Sequence, residues 1–159
     1  MVAFTLFHVA LSLVGIVAGS VVTAGLLGSK RLDCWTRVFL WTTAATSVTG
    51  YLFPVRKLMP SHILGFISLV VLTVTFFALY KRRLAGPWRW VYAGGAVMSL
   101  YLNFFVLIAQ SFAKIPALKT MAPTQSEPPF VVAQCAALVV FITLGIAACA
   151  RFRPGPSVK

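Results

Sequence analysis

The side chains in the apolar stretches of this 159-residue chain that could do chemistry are few: two histidines, His8 and His62, and three amides, Asn103, Gln110 and Gln134. The histidines fall in different apolar stretches, so two imidazoles at similar depth could ligate one b-type haem axially. Imidazole and amide donors beside aromatic residues would suit a quinone head group as well. These five residues are the candidate cofactor-binding set, and the cofactor itself stays open. Zinc would need more ligands than two histidines, because Glu127 is the only carboxylate near them.

Other chemistries lack their parts. The apolar stretches contain no Asp or Glu, which removes the carboxylate relay common in proton-coupled transporters. Neither a glycine-rich phosphate loop nor a serine–histidine–acid set occurs in a fitting context. Cys34, Cys135 and Cys149 show no metal-binding or redox spacing. Cys135 and Cys149 lie about 21 Å apart along a single straight helix and cannot bridge.

The elements that position the five residues are long apolar helices. The chain is 60% hydrophobic and only 10% charged, too little polar residue to cover a soluble domain of this size. Five stretches are each long enough to cross a hydrocarbon layer about 30 Å thick. They run from about Phe4 to Leu27, Thr36 to Phe53, Ser61 to Tyr80, Trp88 to Phe112 and Phe130 to Ala150. The expected fold is an all-α integral membrane bundle of five transmembrane helices in a single domain, residues 1–159. The first stretch has no basic segment before it and is followed by Lys30 and Arg31, as a retained anchor would be. Pro54 ends the second helix, Ser61 caps the third, and Gly86–Pro87 opens the fourth. Ser126 caps the fifth, with Glu127 and Pro128–Pro129 in its first turn.

The net charge of +12 raises the question of nucleic acid, but the basic residues sit in short clusters between apolar spans. No soluble basic face exists to follow a phosphate backbone, so membrane lipids are the expected counter-charge and nucleic acid is not. With five spans, ten Lys and Arg residues fall on one side: 30, 31, 37, 81–83, 89, 151, 153 and 159. Arg56, Lys57, Lys114 and Lys119 fall on the other. The positive-inside rule then places the N-terminus outside and the C-terminus in the cytoplasm. Trp35, Tyr80, Trp88, Trp90 and Tyr92 mark an interfacial belt on the basic side.

In that orientation each helix brings a polar group to the outer half of the membrane. His8 and Gln134 lie about 6 Å inside their helix ends, and Asn103 lies two turns deeper than Gln110. Two readings follow: interhelical hydrogen bonds, or a site open to the outside. The threonines at 42, 46 and 49 form a stripe whose hydroxyls can bond back to the preceding turn. Gly15 and Gly19 form a small-residue face suited to close helix packing, including a contact with a second copy. Gly95–Ser99 and Gly145–Cys149 repeat that spacing. The segment from Ala113 to Pro129 carries four prolines and is expected as a connector rather than a lid over the bundle.

Four short segments carry a resemblance. They are Thr49-Gly50-Tyr51-Leu52-Phe53-Pro54, Ser61-His62-Ile63-Leu64-Gly65, Tyr101-Leu102-Asn103-Phe104-Phe105, and the run from Ala122 to Phe130. Through them the chain resembles a group of small, uncharacterised multi-spanning bacterial inner-membrane proteins. The resemblance implies a location in the bacterial inner membrane and draws attention to His62, Asn103 and the stretch from Gln125 to Glu127. It implies no activity. The expected function is a non-enzymatic accessory or partner-binding membrane protein, with a homo-oligomer or another membrane protein as partner. The alternative is a small redox protein holding haem or quinone near the outer face.

Overall fold

The computed structural model describes residues 2–52 and 60–153, which form helices joined by turns. The elements are α1 (Val2–Leu27), α2 (Asp33–Tyr51), α3 (Pro60–Phe76), a π-helical turn (Phe77–Lys81), α4 (Trp88–Lys114), α5 (Pro116–Met121) and α6 (Pro128–Arg151). Phe53, Pro54, Arg56, Lys57, the side chain of Ser61, and Lys159 lie outside the described residues. Among the described residues, four helices are long and apolar enough to cross a membrane: α1, α3 with its π turn, α4 and α6. The protein is therefore a multi-spanning α-helical membrane protein. Helix α2 runs alongside them but is too rich in hydroxyls to qualify on composition.

Neighbour contacts place α6, α1, α2 and α3 in a curved row with α4 in its hollow, where it touches every other long helix. Small residues let the backbones approach. A Cβ added at Gly19 would stand 2.7 Å from both Leu100 Cδ1 of α4 and Phe39 Cε2 of α2. Gly15 and Gly19 are both buried. Their face is spent inside the bundle, which corrects the expectation that it meets a second copy. At Gly95 an added Cβ would run into the Thr75 hydroxyl of α3, so this glycine is a contact point as well.

The turns at the basic end are built from local chemistry. Helix α1 ends in a Schellman motif: Ser29, at φ 56°, donates its N–H to Leu26 O, and Lys30 N–H reaches Gly25 O at 2.8 Å. The Ser29 hydroxyl also joins the far end of the chain. It accepts from Arg153 N–H at 2.9 Å and donates to Arg153 O at 3.0 Å. Next to this latch the Phe152 side chain is fully buried, its ring 5.7 Å from that of Tyr92. Tyr92 is therefore not part of an interfacial belt. Its hydroxyl lies 3.1 Å from Thr36 Oγ1, inside the bundle between α4 and α2. Trp35, Tyr80 and Trp90 do stay substantially exposed at this end.

Arg82 lies over the rings of Phe77 and Trp88, 5.0 Å from the Trp88 centroid. The chain then passes through Arg83 and Leu84, both at positive φ, before Pro87 caps α4. Burial of the Leu84 side chain holds that unfavourable backbone in place. The latch and these turns gather Lys30, Arg31, Arg37, Lys81, Arg82, Arg83, Arg89, Arg151 and Arg153 at one end. Asp33 is the only acid among them, and it pairs with Arg31 at 2.9 Å.

Candidate functional site

The site begins with the hydroxyls of α2. A helical Thr or Ser can donate its proton to the carbonyl one turn back and keep an oxygen lone pair for another helix. Thr42, Thr46 and Thr49 do donate backwards, to Val38 O at 2.7 Å, Thr42 O at 2.8 Å and Ala45 O at 2.8 Å. Thr49 Oγ1 also lies 2.8 Å from His8 Nδ1 of α1, and the imidazole tautomer decides which of the two donates.

Deeper in the bundle, Asn103 Nδ2–H of α4 donates to Thr43 Oγ1 at 3.1 Å, and both residues are buried. Gly15 makes the room. A Cβ there would stand 3.2 Å from the hydroxyls of Thr42 and Thr43 and 3.6 Å from Asn103 Nδ2. Three helices thus meet at Gly15, Thr43 and Asn103. On the other side of α2, Ser47 Oγ lies 3.0 Å from both Thr43 O and Ser68 Oγ of α3, and offers its one proton to either.

The remaining candidates go elsewhere. The His62 ring lies 5.5 Å from that of Tyr51, whose hydroxyl donates to His62 O at 2.7 Å. Gln134 of α6 is buried and donates from Nε2 to Phe105 O at 3.1 Å, while its Oε1 has no hydrogen-bond partner. Gln110 is exposed on α4. The five candidates are thus distributed rather than convergent. His8 and Asn103 share the seam of α1, α2 and α4, His62 sits between α2 and α3, and Gln134 sits between α4 and α6. Among the described residues, no group of three or more His, Cys, Asp or Glu side chains could hold a metal ion.

From α2, Thr43 and Thr49 tie this seam together, and Ser47 joins α2 to Ser68 of α3. A sequence signal for Thr43 exists in the Thr42–Thr43 pair: two adjacent hydroxyls point about 100° apart, so one must face a different neighbour from the back-bonded stripe.

Beyond α4 the connection to α6 folds against that helix. Gln125, at φ 59°, donates from Nε2 to Ala109 O at 2.7 Å, and Ala122 is buried. α5 packs on α4. Glu127, not Ser126, is the N-cap residue of α6, and its carboxylate turns back instead of capping. It accepts from Thr124 N–H at 3.0 Å, the Thr124 hydroxyl at 2.8 Å and Ser126 N–H at 3.1 Å. Desolvation pulls its pKa upward, but the hydrogen bonds from Thr124 and Ser126 outweigh that and hold it below the ordinary value.

Compared with protein-family models, curated proteins and solved structures, the chain matches none of them. The reading therefore rests on geometry. What this arrangement can do is tie helices together: each interhelical hydrogen bond in a membrane contributes about 0.6 kcal/mol, at most about 1.7.

Proposed function

We propose that the chain is a non-enzymatic accessory protein of the bacterial inner membrane that acts through lateral contact with a partner membrane protein, using α6. One observation carries this. The buried residues of α6 are Gln134, Phe141 and Ala148, each seven apart, so the bundle holds it along a single stripe. Two residues away, and therefore about 200° around the helix, a second stripe faces outward. It consists of Val132, Val139 and Ile146, exposed by 65%, 63% and 68%. A seven-residue repeat of branched apolar side chains is a seam that another helix can follow.

In this reading α2 is the fifth span, its hydroxyls satisfied within its own helix or by α1, α3 and α4. The basic end is cytoplasmic and the N-terminus is outside, as the positive-inside rule requires. In a chain whose cysteines are replaced by alanine, Lys119→Cys reacts with an impermeant thiol reagent from outside and Ala85→Cys does not. Reversed labelling would invert the orientation.

The polar seam serves the fold. Protein supplied with haem during expression, purified in mild detergent, should give the same featureless reduced-minus-oxidised visible spectrum as its His8→Ala and His62→Ala variants. A haem band lost in either variant would replace this reading with a membrane redox protein.

A further inference from the structure

At the basic end, α4 and α6 part to leave a groove of about 590 Å³ lined by Trp90, Gly94, Gly145, Ile146, Cys149 and Ala150. The groove is shallow and open to its surroundings along its length. Its origin is the lack of side chains at two glycines. Cys149 Sγ would lie 3.6 Å from a Cβ at Gly94, and the nearest atom to a Cβ at Gly145 is Val97 Cγ1 at 3.8 Å. Cys149 also turns its thiol to Trp90 O at 3.5 Å, leaving an apolar floor.

The rim is cationic. The Arg89 guanidinium lies over the Trp90 ring, 4.9 Å from its centroid, with Nη1 3.5 Å from Phe152 O. Arg151 follows directly on Ala150, which lines the groove, and is exposed. Arg89 thus stands at the mouth, at the depth where an exposed tryptophan marks the membrane interface, while Arg151 lies about 200° around α6 from Cys149.

We propose that this groove binds one anionic glycerophospholipid, with the start of an acyl chain along Gly94 and Gly145 and the phosphate on Arg89. An apolar slot below a cationic rim matches the two parts of such a lipid in their order of depth. A second copy of this chain fits worse, because it would bring the same arginines to the same depth and repel. The site lies toward the basic end, away from Val132 and Val139, and shares only Ile146 with the outward stripe of α6.

The test is native mass spectrometry of the full chain in detergent, with equimolar phosphatidylglycerol and phosphatidylcholine of identical acyl chains as probes. The unaltered chain should retain one phosphatidylglycerol, about tenfold in preference to phosphatidylcholine, whose choline cation the arginine repels. Gly145→Leu, which points into the groove, should abolish retention of that lipid. Arg89→Gln should bring the preference to about one. Lys81→Gln with Arg83→Gln, at the same end but off the groove, should leave it unchanged. Equal retention of the two lipids by the unaltered chain would overturn the proposal. So would a preference that survives both groove variants, one lost equally in the Lys81 and Arg83 variant, or displacement by inorganic phosphate alone.

Discussion

Helices α4 and α6 are both apolar enough to span a membrane, yet the bundle treats them oppositely. Helix α4 is the less apolar of the two, and 44% of its span is buried; α6 is the more apolar, and only 11% of its span is buried. In water this order would be reversed. In lipid an apolar side chain gains nothing by turning inward, so burial follows close approach and hydrogen bonding instead. Helix α4 has both. Gly95 admits Thr75, Ala93 and Ala96 are buried, and Asn103 reaches Thr43. Helix α6 offers the bundle one buried stripe and leaves its opposite side to whatever else shares the bilayer.

That contrast can be broken most severely at the glycines. Gly95→Ala places a Cβ against the Thr75 hydroxyl and should destabilise by about 1–3 kcal/mol, the usual range for overpacking. Gly145→Ala meets only Val97 at 3.8 Å and should stay within about 0.5 kcal/mol. Thermal unfolding in detergent reads both, and equal losses would erase the distinction between the helices.

The next effect is smaller. Asn103→Leu removes the hydrogen bond to Thr43 and should cost about 1 kcal/mol. Combined with Thr43→Val, the loss should be well short of additive, because each change removes the same contact. Additive losses would mean that the two side chains act independently.

Much of the architecture is legible in the sequence because a membrane writes it in lengths and charges. Trp88 begins α4 where Gly86–Pro87 signals it, the basic clusters share one end, and the threonine stripe of α2 bonds backwards. Which faces meet is not legible. The periodicity that marks a core in water is silent when the outer face is as apolar as the inner one. Gly15 and Gly19 therefore mark a close-packing face without naming its partner, and Gly19 seats Phe39 and Leu100. Tyr92 has the composition of a belt residue, and only the approach of α2 shows its hydroxyl meeting Thr36. The five candidate residues look like one cluster because depth is readable from sequence and azimuth is not. His8 and Asn103 share a seam, while His62, Gln134 and Gln110 lie around the bundle at other positions.

Gln134 tests the quiet side of the comparison. Gln134→Leu loses the bond to Phe105 O but also removes a buried carbonyl oxygen without a partner. The two effects oppose each other, so its stability should change by less than about 0.5 kcal/mol in the same unfolding assay. A loss above 1.5 kcal/mol would show that α6 is held by this residue after all.

The smallest effect concerns the turn leading into α6. Because the Glu127 carboxyl is held below its ordinary pKa, its hydrogen bonds stabilise the turn fully at neutral pH, where the group is ionised. They are lost as pH falls below the unfolded value of about 4.3 and through the lower folded one. Amide exchange at Thr124 and Ser126, corrected for its intrinsic pH dependence, should lose protection in that window. Glu127→Gln should remove the pH dependence.

The most direct test of a bundle that holds α4 and presents α6 is photo-crosslinking in the native membrane. A benzophenone side chain replaces Val132 or Val139 in the outward stripe of α6, and Val17 of α1, itself 58% exposed, serves as the control. The account predicts one discrete protein adduct, the same from both α6 positions, and only lipid adducts from Val17. Lipid adducts alone at all three positions, or the same protein adduct from Val17 as from α6, would contradict it.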